Sequence, residues 1–358
     1  MRIAYACYLT ALGHQGVARK IEMQTSTWAD AGHDVSLFCL SDSATALPLA
    51  ATTTVFGSLR ERVDATRQLV RMIATCAPDV AYLRYDLFLP PLTKLLRSVA
   101  TVVELNSDLA REIRLWDERL PGTKAYERLN KRLTLGHAAG IVCTAHELQR
   151  SVVPSSVKAP CIVIGNGVDL ATMTPLAAPR NDRPRAVYIG FPGQPWQGVD
   201  KLLHLAKLSP DVDFDLIGLA RNDLGDELPA NVTVHGVLER HEYEAVFAAS
   251  DIGVGPLALH RKGLEEAATL KIREYLAYGL PTLLAQLDPD FMDVDRWFFL
   301  RIPNSEDNVE RHAREIREFA HAMRGRRVAR HEIEENISVV HKEERRLEFM
   351  RRCAGQLD

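Results

Sequence analysis

Glu265-Glu266-Ala267-Ala268-Thr269-Leu270-Lys271-Ile272-Arg273-Glu274-Tyr275-Leu276-Ala277-Tyr278-Gly279-Leu280-Pro281-Thr282 reads as a loop, a short helix and its stop. Thr269 suits the N-cap, where its hydroxyl can accept from the free amides of the first turn. Gly279 suits the left-handed position after the last turn, and Pro281 prevents continuation. Leu270, Ile272, Tyr275, Leu276 and Leu280 supply a buried side. Two carboxylates, Glu266 and Glu274, bracket seven residues. On one helix they would stand roughly 12 Å apart, too far to grip one small group. With the helix starting at Thr269, Glu266 lies on the preceding loop, and Glu274 leans back toward it. Between them come the amides of Leu270 and Lys271 and the Lys271 ammonium, at the positive end of the helix, a place that holds phosphate. A neighbouring carboxylate can accept two hydrogen bonds from a sugar diol. The arrangement fits a nucleotide sugar.

Other segments extend the pattern. Gly13-His14-Gln15-Gly16 follows a first strand, and Ala31-Gly32-His33-Asp34-Val35 precedes a second. Asn166-Gly167-Val168-Asp169, then Gly190 through Trp196-Gln197-Gly198-Val199, then Ser250-Asp251-Ile252-Gly253-Val254-Gly255-Pro256 come later. Together, and in this order, these segments resemble the family-4 glycosyltransferases, retaining enzymes of GT-B fold. The resemblance implies a sugar transferred with retention from a UDP- or GDP-type donor to a hydroxyl of a glycan, glycolipid or small-molecule glycoside. It implies no required cofactor and no metal. Glu274 would bind the donor ribose, Glu266 the sugar hydroxyls, and Lys271 the diphosphate. The amides around Thr269 and Leu270, and the backbone of Gly16, Gly190 and His235, would complete the donor site. Gly16 would approach the diphosphate as a cleft between domains closes, and His14 would line that cleft or stand by.

Bulk properties agree. A chain of 358 residues suits two domains of about 170 to 190 residues. Apolar content of 46% with 25% charged is ordinary for a globular protein. A net charge of −3 gives no reason to expect nucleic acid. Six scattered cysteines lack metal-ligand spacing and read as buried free thiols in a reducing compartment. No signal peptide is read, and no apolar run nears the roughly 18 residues of a membrane span. A cytoplasmic location follows, with contact at the inner membrane surface left open. Arginines interleave with glutamates from Arg311 to Arg352, which reads as a solvated helical face or as a weak contact with anionic lipid.

Strand and helix patterns alternate, so the expected fold class is α/β: two Rossmann-like, doubly wound domains facing across a cleft. Strands are expected near 2–8, 34–40, 79–84, 100–105, 140–143 and 161–164, then 186–190, 213–218, 232–236, 251–255, 281–286 and 297–302. Apolar spacing at Val17, Ile21, Trp28 and Ala31 predicts a helix closed by Gly32. The expected domains are 1–175 for the acceptor, 176–332 for the donor, and 333–358 crossing back to the first. A polar linker runs from Leu176 to Arg185.

Departures from the family sharpen the reading. Members commonly place an arginine after the first glycine of the donor domain and a lysine before the next. Here Phe191 and Gln197 stand there, so Lys271 and the helix amides are the candidates to compensate unless Lys271 is a solvated helix residue, with Arg221 or Arg273 as second choices. A histidine common on the acceptor side is absent, which leaves Glu104 and Asn106 as an acceptor-binding pair or a strand-end cap. Glu104 would serve as base if burial brought its pKa near neutral. Arg84 and Tyr85 end a strand at the same edge. Trp196 stacks on the nucleotide or packs under its loop. No GxGxxG fingerprint or ribose-binding acid is present, against a nicotinamide or flavin enzyme. Two rivals remain: a nucleotide-sugar 2-epimerase on the same scaffold, and a non-catalytic binding subunit.

Overall fold

The computed structural model describes residues 1–9, 15–42, 51–86, 89–116, 122–225, 227–292 and 295–355. Its contacts divide the chain into two compact units, Met1–Asn166 with Val339–Asp358, and Gly167–Ser338. The first holds β1 (Arg2–Leu9), α1 (Gln15–Asp30), β2 (Asp34–Ser41), β3 (Thr52–Val55), α2 (Leu59–Thr75), β4 (Val80–Arg84), α3 (Leu92–Ser98) and β5 (Thr101–Leu105). Then follow α4 (Leu109–Trp116), α5 (Thr123–Gly136), β6 (Gly140–Cys143), α6 (His146–Ser151) and β7 (Cys161–Val163). The second unit holds β8 (Arg185–Ile189), α7 (Val199–Leu208), β9 (Asp213–Ile217), β10 (Val232–Gly236), α8 (Arg240–Ala249) and β11 (Ile252–Val254). It continues through α9 (Leu270–Ala277), β12 (Thr282–Leu284), β13 (Phe299–Arg301), α10 (Asn308–Met323) and α11 (Glu334–Ile337). The last helix, α12 (Val339–Ala354), belongs to the first unit, where it packs against α1, β5 and β6.

Each sheet is parallel throughout. The first runs β3-β2-β1-β4-β5-β6-β7 and the second β10-β9-β8-β11-β12-β13. Both start at an inner strand, wind one way, then cross back and wind the other. Strands covered on both faces read as near-continuous apolar runs, as β1 does from Ile3 to Leu9. The edge strand β3 was not foreseen. Its cue is the β-branched run Thr52-Thr53-Thr54-Val55, too short for a periodicity test. In α1, Ile21 and Trp28 reach the core and Gly32 closes the helix with φ +80°, but Ala31 lies past the last turn and is exposed. The unit boundary falls after Asn166, ahead of the segment 176–185. Val168 pairs with Ser338 in a parallel bridge and donates to the Ile337 carbonyl at 2.8 Å.

In the second sheet the strand ends converge. The Gly190 amide donates to Ile217, and the Gly218 amide to Gly236. Gly218 has φ +83°, and a side chain there would collide with the Gly190 carbonyl oxygen. No L-residue fits both constraints. Gly218→Ala should therefore cost about 2 kcal/mol or more, lowering the midpoint of thermal unfolding by several degrees. Differential scanning calorimetry on the two proteins would measure it.

Candidate functional site

In the second unit the sheet reverses direction between β8 and β11, and such a switch point opens a crevice at the carboxyl ends of the strands. Helix α9 seats against it. Tyr275 is fully buried, and its hydroxyl accepts from the Ile189 amide at 2.9 Å and donates to the Val254 carbonyl at 3.4 Å. One side chain thus spans the ends of both strands where they part. The helix stops as the sequence predicts. The Leu280 amide bonds the Tyr275 carbonyl at 2.8 Å and the Gly279 amide the Leu276 carbonyl at 2.9 Å, with Gly279 at φ +85°.

The start of α9 corrects one expectation. Thr269 is the cap by position, but its hydroxyl makes no capping bond, and its oxygen is buried without a hydrogen-bond partner. The leading amides of Leu270 and Lys271 therefore receive no side-chain acceptor from Thr269. Glu266 precedes the helix on a loop pinned to residue 287: Leu287 donates to the Glu265 carbonyl, and Ala267 to the Leu287 carbonyl. Glu266 is buried, and Glu274 is partly buried on α9.

Lys271 carries the charge of this site. Its Nζ donates to Gln197 Oε1 at 2.7 Å and lies 3.9 Å from the centre of the Tyr188 ring. The Tyr188 hydroxyl donates to the same Gln197 oxygen at 2.9 Å, and Gln197 Nε2 donates to Gln194 at 2.8 Å. Burial holds the Lys271 pKa well below the ordinary 10.5, with Glu274 opposing the shift. Gln197, the neutral residue where a lysine was expected, thus anchors the ammonium of Lys271 beside Gly190. Trp196 packs under this loop, with Lys262 Nζ 4.8 Å from its ring centre.

The second-choice cations do not join Lys271. Arg273 is fully buried and grips Asp288 through two bonds, 2.6 and 2.8 Å, and Asp290 at 2.7 Å. It braces the fold and offers nothing to a diphosphate. Arg221 is exposed in the turn after β9 and donates to the Gly225 carbonyl at 2.8 Å. His235 sits at a bulge in β10, with Nε2 2.7 Å from Asp215 Oδ1. Its ring is engaged there.

In the first unit, Glu104 is no base. It is fully buried, with Lys20 Nζ at 3.1 Å, Arg84 at 3.4 Å and Arg346 of α12 at 3.6 Å, and Asn106 Nδ2 donates to it at 2.9 Å. Burial alone would raise its pKa, but Lys20, Arg346 and Arg84 outweigh that and hold it well below the usual carboxylate range. Lys20, the titratable cation among these partners, falls to about 8 through burial, against the pull of Glu104. Its Nζ also donates to Asn106 Oδ1 at 2.7 Å, so that amide is held from both sides. Tyr85 donates to Glu127 of α5 at 2.9 Å. Lys20, Arg346 and Glu127 escaped the sequence reading because buried charges on helices look like solvated ones. Gly16 opens α1, whereas Gly13 and His14 lie outside the described residues. Four of the cysteines, Cys7, Cys39, Cys143 and Cys353, are buried, and Cys76 is exposed.

Two parallel, doubly wound α/β units are the architecture of the GT-B fold. Residues 14–172 match the family described as Glycosyltransferase Family 4. No curated protein matches the sequence. Among solved structures it is similar to sucrose-phosphate synthase from Thermosynechococcus elongatus, with 15% identity, coverage of 99% of this chain and 97% of that one, and TM-score 0.65. A glycosyltransferase from Rickettsia africae matches at 12% identity, 98% coverage of each chain and TM-score 0.65. An alpha-glucosyltransferase in complex with UDP matches at 14% identity, 98% and 100% coverage, and TM-score 0.63. At these identities the likeness establishes the fold.

Two outcomes follow for the buried charges. Arg273→Met should cost about 3–5 kcal/mol, because it strands Asp288 and Asp290, and urea unfolding would measure the loss. Glu104 has a depressed folded pKa, so its contribution is complete above the unfolded value of about 4.3 and is lost as pH falls through and below it. Glu104→Gln should flatten the dependence of stability on pH between about 5 and 3, as read from urea midpoints across that range.

Proposed function

We propose that this glycosyltransferase moves a sugar from a UDP- or GDP-type donor to an acceptor hydroxyl with retention of configuration. The observation that carries the reading is the Lys271 ammonium, fixed by Gln197 and Tyr188 beside Gly190 at the start of α9. A leaving diphosphate needs positive charge where its negative charge grows. Lys271 and the first amides of α9 supply it, Glu274 accepts from the ribose hydroxyls, and Glu266 accepts from hydroxyls of the donor sugar. The similar alpha-glucosyltransferase holds UDP, which makes UDP the first nucleotide to try.

The step needs no enzymatic nucleophile. The bond from the anomeric carbon to the diphosphate oxygen breaks as the acceptor oxygen approaches on the same face. The departing phosphate oxygen takes the acceptor's proton. No cofactor enters, and the acceptor is a glycan, glycolipid or small-molecule glycoside. The protein acts in the cytoplasm. Among the described residues no helix is long and apolar enough to cross a membrane.

Thermal unfolding with UDP, GDP, ADP, CMP and dTDP tests the donor. A ligand at a hundredfold over Kd adds about 2.7 kcal/mol, and one nucleotide should stand out. Glu274→Ala should abolish that shift, whereas a shift undiminished in the variant refutes the assignment. Binding without transfer or donor hydrolysis would make the protein a non-catalytic binder, and turnover without an acceptor would make it an epimerase. Lys271 binds diphosphate as the cation, so affinity should fall as pH rises through its lowered pKa, well short of 10.5. Above that pKa, binding should take up a proton. Titration calorimetry in buffers of different ionisation enthalpy would count it, and uptake unchanged in Lys271→Ala would remove Lys271 from the site.

A further inference from the structure

The first sheet has a switch point of its own, and a crevice opens there. Strand order reverses between β1 and β4, and the crevice lies at their carboxyl ends, about 470 Å³ with its open mouth included. Leu40, Leu69, Leu83, Leu89 and Leu92 give it an apolar wall, all of them buried. The hydroxyls on the wall are turned toward their own neighbours. Thr66 donates to the Arg62 carbonyl at 2.7 Å, and Thr134 to the Asn130 carbonyl at 3.1 Å. The Tyr85 hydroxyl donates to both oxygens of Glu127, at 2.9 and 3.0 Å. With its proton committed to Glu127, the Tyr85 oxygen has only lone pairs to offer.

Arg62 supplies the complementary group. Its guanidinium lies 4.3 Å from the centre of the Tyr8 ring and 5.4 Å from that of Phe56, and one terminal nitrogen pairs with Asp86. Its Nε is buried and makes no hydrogen bond. A donor left so is costly until something accepts from it. The charges here are already matched: Arg62 pairs with Asp86, and Arg84 with Glu104 at 3.4 Å. An anion would have to displace a carboxylate from its partner. An ammonium cannot accept from Nε, whereas a hydroxyl both accepts and donates. We propose that the crevice binds an uncharged molecule with an apolar body and hydroxyls, the body against the leucines and the hydroxyls on Tyr85 Oη and Arg62 Nε. Alkyl or aryl glycosides and alkyl diols belong to this class; free sugars and sugar phosphates do not. In the transfer proposed above this molecule is the acceptor, and that last step rests on that reading.

Saturation-transfer NMR on the full chain tests it, without nucleotide, using hexane-1,2-diol and hexyl glucoside against glucose and hexanoate. The two neutral amphiphiles should compete for one site and bind at least about tenfold more tightly than glucose or hexanoate. Tyr85→Phe should weaken hexane-1,2-diol about fivefold, and Leu92→Gln at least about threefold. Tyr85→Phe keeps the ring, so its circular dichroism should match wild type, and it carries the test alone if Leu92→Gln does not fold. Folded protein that binds neither amphiphile overturns the proposal. Glucose or hexanoate binding at matched affinity does so too, as does binding indifferent to Tyr85→Phe. Nucleotide is absent, so each of these failures leaves the donor reading standing. With a working donor, bound hexyl glucoside should accept the sugar or inhibit its transfer; doing neither overturns the acceptor role.

Discussion

The second unit depends on one hydroxyl. Where β8 and β11 diverge, each leaves a backbone group without its neighbour, and Tyr275 takes both, the Ile189 amide and the Val254 carbonyl. A buried backbone group left unmade costs far more than a made bond gains. The tyrosine therefore locks α9 at the switch point. Everything proposed for the donor follows from that placement. Lys271 precedes Tyr275 by four residues and so lies one turn nearer the start of the helix, over Tyr188 and within reach of Gln197. Glu274 is its chain neighbour, and the loop carrying Glu266 enters from the same end.

The first unit has its own organising charge. Glu104 lies among Lys20, Arg84 and Arg346, which come from α1, β4 and α12. Glu343, one turn before Arg346, is ion-paired to it and accepts from Trp28 at 2.8 Å and Gln24 at 3.4 Å. The carboxylate on β5 is what the last helix grips, so a segment far along the chain is pinned to the first sheet. Removing one partner from such a cluster strands the others in low dielectric. The same cluster fixes the Asn106 amide at the strand end.

The alternation of apolar strands with helices gave the two doubly wound sheets, and their boundaries agree to within a residue or two. The position of the first residue of α9, its stop and the carboxylate spacing were equally legible, because local chemistry dictates them, but the capping bond expected of Thr269 is not made. Charge was not. Glu104, Arg273, Lys271 and Glu127 are ionisable residues on strands or helices, and nothing local separates a buried one from a solvated one. The separation comes from partners distant in sequence: Lys20 for Glu104, Asp288 for Arg273, Gln197 for Lys271, Tyr85 for Glu127. Tyr275 read as part of an apolar side, since no spacing discloses that its hydroxyl meets two strand ends.

The replacement of a lysine by Gln197 changes how a diphosphate can be held. Two fixed cations would repel one another in the empty site and attract the ligand from a distance. One lysine with a lowered pKa behaves differently. Its charge is disfavoured by burial, and Glu274, Gln197 Oε1 and the Tyr188 ring offset that cost only in part. In the proposed donor site, a bound diphosphate would supply the full counter-charge and raise the pKa again. On that proposal, ligand binding and full charging of Lys271 would become a single coupled event, with the stabilisation concentrated where negative charge develops during departure. A neutral glutamine at this position is therefore consistent with transfer, provided its carbonyl keeps the ammonium aimed at the phosphates.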